Sequence, residues 1–128
     1  MTFSEKSWGK LDSCDPRLRD ILVEVIKEID CTVICGHRSR VDQTLAFQQG
    51  NTKAQWPNSK HNKLPSMAVD VAPYPIDWNH RESFYHLAGY IKAVAKDLNI
   101  EVRWGGDWDR DNDFKDNDFD DLVHYELV

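Results

Sequence analysis

A run of apolar residues at helical spacing, which follows Asp15-Pro16, constrains the fold of this chain more than any other feature. An aspartate can cap the start of a helix and a proline suits its first position, so a helix is expected to begin here. Apolar residues three and four positions apart lie on one face of a helix. The stripe predicts one continuous helical contribution to the core, made by Leu18, Ile21, Leu22, Val25, Ile26 and Ile29.

Two later segments also have helical patterns. Ser39 and Asp42 have the spacing of a capping box, which predicts a helix that ends at Gly50. A third helix is expected from Asn79, because apolar residues again recur three and four positions apart. Its buried face is predicted to consist of Phe84, Leu87, Ile91, Val94, Ala95 and Leu98.

The strand signals are short and distributed along the chain. In one of them the residues alternate, so that Val69 and Val71 face one side and Asp70 faces the other. Helices and strands in this order favour an α+β fold, with helices packed on one face of a small, mainly antiparallel sheet. We expect residues 1–128 to form a single domain. The predicted strands are residues 31–35, 67–72, 100–104 and 122–128.

The negative charge of the chain is concentrated near its end. The formal net charge is −6, and residues 101–128 hold ten acidic residues against three basic ones. This region lacks the basic stripe that binds phosphates, so we do not expect nucleic acid as a partner. The excess of acidic residues instead predicts a bound cation. No signal peptide or membrane span is recognisable, so we expect synthesis in the cytoplasm and no membrane partner. We also expect the protein to be a monomer.

Cysteine and tryptophan usage predicts an ordinary reduced core. Three cysteines are too few for a disulfide framework, so Cys14, Cys31 and Cys35 are expected to be reduced, partly buried thiols. The aromatic cluster is predicted to lie mostly in the core, although one ring could form a wall of a cleft. Its members are Trp56, Trp78, Trp104 and Trp108.

Histidine and acidic residues recur near two of the predicted strands. His61 and Asp70 flank the entry to one strand, while His124 and Glu126, two residues apart, share a face of the terminal strand. Two histidines and one aspartate would provide the three protein ligands of a catalytic zinc and leave a fourth position for water. A lone histidine in such a loop is more often a surface residue, so spacing alone leaves the metal role open.

Four segments in chain order carry a more specific signal. They are GHRS at 36–39, SKH at 59–61 followed by AVDVAPY at 68–74, RWGGDW at 103–108 and DLVHYEL at 121–127. These segments resemble the successive signatures of the D-Ala-D-Ala type zinc metallopeptidases. The resemblance is closest to the phage L-alanyl-D-glutamate endopeptidases that act as endolysins, and it covers most of the chain.

The resemblance implies a zinc site in a cleft, with His61, Asp70 and His124 as the ligands. It also implies that Asp121, three residues before the last ligand, is the general base. A carboxylate beside zinc can take a proton from the attacking water and pass it to the leaving amine.

The resemblance assigns further roles around this cleft. Arg38 would hold the substrate or stabilise developing charge, as a forked cation can. Ser59 and Gln43 match positions that the family places at the substrate cleft. The segment between His61 and Asp70 is longer than the commoner family spacing, and its extra residues fall in a turn-prone stretch at 64–66.

The function implied is peptidoglycan cleavage by an L-alanyl-D-glutamate endopeptidase, acting as a phage endolysin in host lysis. Made in the host cytoplasm, such an enzyme needs membrane permeabilisation to reach the wall. A D-alanyl-D-alanine dipeptidase or carboxypeptidase would share the zinc site but require a cationic pocket for a free C-terminal carboxylate. The remaining alternative is a non-catalytic module that keeps a metal ion for structure or recognition, with Glu126 as a fourth ligand.

An Asp-rich loop precedes the last predicted strand and suggests a second, regulatory ion. Its alternating carboxylates resemble the start of a calcium loop, because Ca²⁺ prefers several carboxylate and carbonyl oxygens. Asn112 stands where such loops have glycine, and Asp118 stands where they have glutamate. We therefore predict an irregular calcium site in place of a regular EF-hand loop. The alternative is a solvated acidic loop. The carboxylates concerned are Asp107, Asp109, Asp111 and Asp113.

Overall fold

The computed structural model describes residues 1–115 and 119–128 of the chain. Within these residues the chain forms four α-helices, four β-strands and a short 3₁₀ helix. None of these helices has both the length and the apolar character that crossing a bilayer requires. The helices are α1 (Glu5–Asp12), α2 (Pro16–Val25), α3 (Arg40–Gln48) and α4 (Arg81–Asp97), and the 3₁₀ helix is Lys60–Asn62. The strands are β1 (Cys31–Cys35), β2 (Ala68–Pro73), β3 (Val102–Gly105) and β4 (Asp121–Leu127).

The four strands form one antiparallel sheet in the order β1-β2-β4-β3. In the central pair Val69 lies opposite Tyr125, and Asp70 lies opposite His124. Because side chains alternate along a strand, the apolar pair faces one side of the sheet and the polar pair faces the other. The predicted α+β class and antiparallel sheet are confirmed.

The apolar face of the sheet is covered by side chains from α1, α2 and α4. These helices and the strands share one cluster of side chains that are at most 5% exposed. The prediction that helices pack on one face therefore holds for these three helices. The third helix of the chain, α3, has Gln43 as its buried residue and lies outside this cluster.

The first helix, α1, which the sequence pattern had not predicted, covers the outer edge of β1. The hydroxyl of Ser7 accepts a hydrogen bond from the backbone N–H of Val33 at 3.1 Å and lies 3.0 Å from the hydroxyl of Thr32. Unpaired edge groups of a sheet are a template for association with other chains, so this contact protects the edge.

Two predicted helix faces extend further in sequence than the helices do. The second helix ends at Val25, and Ile29 lies beyond it, partly buried against the core. The helix α4 ends before Leu98, which is 42% exposed and was wrongly predicted to be buried. The helix ends here because Asn99 has a left-handed φ of 59°, a conformation common just after the end of a helix.

Gly36→Ala should destabilise the fold, because the turn after β1 is packed directly against the end of α1. A Cβ at this position would lie 2.2 Å from the Lys10 carbonyl oxygen and 2.4 Å from the Ser13 hydroxyl oxygen. We expect a loss of about 1 to 3 kcal/mol in the free energy of unfolding, measured by urea denaturation at constant metal concentration.

The matched control is Gly89→Ala in α4, where an added Cβ meets nothing within 4 Å. Alanine should stabilise this helix by up to about 1 kcal/mol. Equal stability of Gly36→Ala and the wild type would contradict the packing of α1 against the turn.

Candidate metal centre and catalytic cleft

Three ligand-type atoms from distant parts of the chain meet on the polar face of the sheet. His61 Nε2 lies 3.0 Å from Asp70 Oδ1 and 3.2 Å from His124 Nδ1, and the last two atoms are 3.2 Å apart. Around a tetrahedral zinc with bonds of about 2.0 to 2.1 Å, neighbouring ligand atoms are about 3.3 Å apart. The donor triangle therefore has the size that a zinc ion fits.

Local structure fixes the first of these ligands. Ser59 caps the 3₁₀ helix: its hydroxyl accepts the N–H of His61 at 3.2 Å, while the Asn62 side chain accepts the N–H of Ser59 at 3.1 Å. The other two ligands need no local device, because Asp70 and His124 are direct cross-strand partners in β2 and β4. In the turn-prone stretch at 64–66, Leu64 lies at the surface with 75% exposure, whereas Ser66 is fully buried.

Hydrogen bonds on the far sides of both imidazoles set their tautomers. His61 Nδ1 donates to the Gly36 carbonyl oxygen at 2.7 Å, and His124 Nε2 donates to the Glu126 carboxylate at 2.8 Å. In its neutral form each ring then presents an unprotonated nitrogen to the triangle, which is the orientation that a metal ligand requires. All three candidate ligand residues are buried, at 7% exposure or less.

The electrostatics of the triangle favour a bound cation. Burial by itself would lower the pKa of His61, but the charge and hydrogen bond of Asp70 outweigh it and raise this pKa to about 10. Burial by itself would raise the pKa of Asp70, yet the two histidines hold it well below its ordinary value. The pKa of His124 is raised in the same way, against burial, by hydrogen bonds with Asp70 and Glu126. The Asp70 carboxylate between the two imidazoles thus favours positive charge at this point.

Cys35 is a ligand-type residue that the sequence reasoning missed. One ligand atom each from Cys35, His61 and Asp70 lie within 4.8 Å of one another. A bulge in β1 after Val33 brings Cys35 opposite Asp70. The sequence signal was its position at the end of a predicted strand, beside the GHRS segment; all three cysteines are free thiols, as predicted.

Arg38 extends the site on the far side of Asp70. Its Nη2 donates to Asp70 Oδ2 at 3.3 Å and its Nη1 to Gln43 Oε1 at 3.1 Å. Gln43 is 0% exposed, and its Nε2 donates to the Ala54 carbonyl oxygen at 2.6 Å. The Gln43 oxygen also accepts from the Asn62 side chain at 3.1 Å. Gln43 therefore lies buried behind Arg38, and a substrate contact of its side chain stays a prediction.

A cleft of about 570 Å³ opens above these residues, with Arg38 and Ser59 on its surface together with His61 and His124. Asp121, at the start of β4, also lines it. Burial and the negative charge of Asp70 raise the pKa of Asp121 to about 6.

Position 105, which faces Asp121 across the sheet, has no room for a side chain larger than that of glycine. Gly105 lies opposite Asp121 in the pairing of β3 with β4, and a Cβ on Gly105 would lie 2.1 Å from the Asp121 carbonyl oxygen. The glycine of the RWGGDW segment thus allows β4 to begin close against β3.

Glu126 contacts His124 on the side of its ring that faces away from the donor triangle. Besides accepting from His124, it lies 3.5 Å from Lys60 Nζ and 3.3 Å from Arg103 Nη1. These contacts lower the pKa of Glu126 although burial alone would raise it. The carboxylate therefore orients a candidate ligand instead of completing the donor triangle.

The tryptophan predictions hold for two rings only. Trp104 is 2% exposed in the core, and Trp108 forms part of the cleft wall, with its ring centroid 5.4 Å from that of His124. The core prediction is wrong for Trp56 and Trp78, which are 37% and 61% exposed. Trp78 instead stacks on Phe84 at the surface, with 5.6 Å between the ring centroids.

Three of the four predicted carboxylates of the Asp-rich loop lie close together. Among the described residues, one oxygen each from Asp107, Asp109 and Asp111 lie within 4.8 Å of one another, whereas Asp113 accepts from the backbone N–H of Lys115. Desolvation and the adjacent Asp111 carboxylate raise the pKa of Asp109.

The buried Asp107 carboxylate is already used within this loop. It accepts the backbone N–H groups of Asp111 at 3.3 Å and Asn112 at 2.9 Å. Asn112, at the position where calcium loops have glycine, has a left-handed φ of 64°. Asp118 lies outside the described residues. Calcium binding at this loop stays a prediction.

Comparison with known proteins points to one family. The sequence profile described as phage L-alanyl-D-glutamate peptidase matches residues 1–128. The L-alanyl-D-glutamate peptidase of Escherichia phage T5 is 28% identical over 119 residues, covering 89% of this chain and 86% of that protein. The fold is similar to the crystal structure of the Serratia marcescens L-Ala D-Glu endopeptidase ChiX, with a TM-score of 0.78 and 22% identity, covering 99% of this chain and 90% of that one.

Asp121→Asn should stabilise the metal-free protein in a pH-dependent manner. The pKa of Asp121 is raised from 3.8 to about 6 on folding, so the folded state binds this proton more tightly. Its contribution to stability is present below pH 3.8 and is lost as the pH rises through about 6. Asparagine mimics the protonated acid, so its advantage should grow from a small value near pH 4 to about 2 to 3 kcal/mol above pH 7.

Urea denaturation of chelator-treated protein across this pH range measures the effect. Asp20→Asn, which removes an exposed carboxylate from α2, controls for the loss of one charge. A stability difference that does not change with pH would contradict the raised pKa of Asp121.

Proposed function

Because the chain belongs to the phage L-alanyl-D-glutamate peptidase family, we propose that it is a zinc-dependent endopeptidase that cuts the L-alanyl-D-glutamate bond of peptidoglycan. On this proposal residues 1–128 act as one catalytic domain and as a monomer. The enzyme would serve as an endolysin, made in the host cytoplasm and reaching the cell wall after membrane permeabilisation.

One observation carries the zinc proposal. Nitrogen atoms of His61 and His124 and an oxygen of Asp70 meet at 3.0 to 3.2 Å, with both ring N–H groups turned away. Two imidazoles and one carboxylate form a donor set that zinc prefers, and three protein ligands are typical of catalytic sites. Zinc bound there would supply a Lewis acid for the scissile carbonyl and lower the pKa of a water molecule to about 7.

Asp121 is the proposed general base. It lines the cleft beside the donor triangle, and burial raises its pKa in the metal-free protein to about 6, close to the working pH of a general base. It would take the proton of the attacking water and then deliver it to the amine of the departing glutamate. Raising a carboxyl pKa toward the working pH by burial is a common property of catalytic acids and bases.

Arg38 is proposed to stabilise negative charge that develops on the scissile carbonyl oxygen. Its guanidinium is held by Asp70 and Gln43, so it enters the reaction already oriented. We infer that Gln43 is a positioning residue for Arg38 and that it does not touch substrate. Ser59, which caps the 3₁₀ helix and lines the cleft, holds His61 in place and can contact the substrate backbone.

The family and its phage T5 member favour an endopeptidase over a D-alanyl-D-alanine dipeptidase or carboxypeptidase. A non-catalytic module is disfavoured by the arrangement of Glu126, which orients His124 and is salt-bridged to Arg103, instead of closing the donor set. Calcium as a regulatory ion bound by Asp107, Asp109 and Asp111 remains a separate hypothesis, on which the peptidase proposal does not depend.

His124→Ala should abolish stoichiometric zinc binding, because it removes one corner of the donor triangle. Elemental analysis after dialysis against a weak chelator should find about one zinc per wild-type chain and little in the variant. His86→Ala, which removes an exposed histidine of α4, is the matched control. Equal zinc in wild type and His124→Ala would remove the central claim.

Cys35→Ser distinguishes the two overlapping ligand sets. Zinc should be retained if His61, Asp70 and His124 hold the ion. Loss of zinc from this variant would instead favour the set that contains Cys35.

Digestion of purified peptidoglycan, followed by mass spectrometry, should reveal new N-termini at D-glutamate. Asp121→Asn should keep its zinc and lose activity by about 10²- to 10⁴-fold, as expected for a missing general base. Glu126→Gln should lose about 10- to 100-fold, because it disturbs only the orientation of His124.

Two results would change these assignments. A nearly inactive Glu126→Gln beside an active Asp121→Asn would reverse the two roles. Release of free D-alanine or its dipeptide, without new D-glutamate termini, would favour the D-alanyl-D-alanine enzymes.

A further inference from the structure

We propose that Lys53 binds the free carboxylate of the substrate's glutamate and thereby makes the enzyme selective for an acidic residue on the leaving side of the scissile bond. This inference rests on the proposed function and adds to it a residue that determines specificity.

The chemistry of the substrate requires such a group. Glutamate has two carboxyl groups, and only one of them can continue the peptide. The other is ionised at neutral pH, since its ordinary pKa is about 4.3. It belongs to the same residue as the nitrogen of the bond to be cut, so it must enter the cleft whenever that bond does.

Without a nearby cation, acidic residues that line the cleft would repel this carboxylate. Asp109, Asp121 and Glu126 all line it. Like charges in a partly desolvated cleft repel one another more strongly than in water. A positive group near the cleft mouth would offset this repulsion and would also select for the acidic substrate.

Two of the three cations that line the described part of the cleft are already engaged. Arg38 is paired with Asp70 at 3.3 Å, and Lys60 lies 3.5 Å from Glu126 and also donates to the Leu127 carbonyl oxygen. Lys53, by contrast, forms no ion pair with residues 1–115 or 119–128. Its Nζ lies over the Phe119 ring, 5.4 Å from the centroid.

The backbone around Lys53 is anchored, while its side chain is exposed. The Ala54 carbonyl oxygen accepts from the buried Gln43 at 2.6 Å, and the Ala54 N–H donates to the Thr52 hydroxyl at 3.2 Å. Because Gln43 also holds Arg38, the Lys53 segment is tied to the catalytic residues. A lysine on a fixed backbone can reach a ligand at little cost in backbone entropy.

Phe119 connects the Lys53 ammonium to the metal centre. The Phe119 carbonyl oxygen accepts from Trp108 Nε1 at 2.6 Å, and the Trp108 ring packs 5.4 Å from that of His124. Lys53 therefore reaches across the cleft to the wall that borders His124. A cation–π contact at an exposed site is weaker than a charge-assisted hydrogen bond to a carboxylate, so substrate can draw the ammonium away from the ring.

The test uses two synthetic L-alanyl-D-glutamyl peptides that differ only in the remaining glutamate carboxyl, which is free in one and a primary amide in the other. The zinc-loaded wild type should prefer the free acid by about tenfold in kcat/KM. Lys53→Met should lose this preference through a higher KM for the acid peptide, with kcat and the kinetics of the amide peptide unchanged. Lys53→Arg should restore the preference.

Lys63→Met is the matched control, since Lys63 is exposed and follows the 3₁₀ helix. It should behave as the wild type. Retention of the full preference by Lys53→Met, or a wild type that cleaves both peptides equally, would overturn the role of Lys53 while leaving the peptidase intact. If zinc-loaded wild type cleaves neither peptide nor purified peptidoglycan, the proposed function is refuted and the Lys53 assignment falls with it.

Discussion

The pairing of β2 with β4 is the constraint on which the candidate site depends. Asp70 lies opposite His124 only because Val69 lies opposite Tyr125, and those two side chains are 1% exposed in the core. A slip of one residue would turn every side chain of a strand to the other face. Burial of the apolar face therefore fixes the register, and the register brings the polar residues together on the opposite face. Core packing and site geometry are two consequences of one pairing.

Around the donor triangle, a second set of groups fixes how the ligands are presented. The Gly36 carbonyl and the Glu126 carboxylate accept hydrogen bonds from the ring N–H groups of His61 and His124, and Arg38 pairs with the outer oxygen of Asp70. In a buried site of low dielectric constant such contacts are strong, and an unsatisfied partner would be costly. The same contacts leave the inner atoms available to a cation. The arrangement is one of preorganisation, in which the fold supplies the orientation before substrate arrives.

Much of the fold follows from patterns that are local in sequence. The predicted caps at Asp15 and Ser39 are present, since each side chain accepts a hydrogen bond from the first turn of its helix. The errors lie where tertiary contacts override local preference. The first helix is short and contains Gly9, so it is stabilised mainly by its contacts with β1 and the following turn. The tryptophans predicted as core residues at 56 and 78 are exposed because hydrophobic character alone does not place a residue inside.

The sequence by itself determined the α+β class, the positions of most elements and, through ordered motifs, which histidines and carboxylates are candidates for metal chemistry. Only the tertiary structure decided that Cys35 joins the neighbourhood of the candidate ligands, that Gln43 is buried behind Arg38, and that Lys53 faces Phe119 across the cleft. The physical reason is that helix and strand periodicity act over a few residues. Contacts between residues far apart in the chain depend on strand register, on the bulge in β1 and on the packing of loops, which no local pattern encodes.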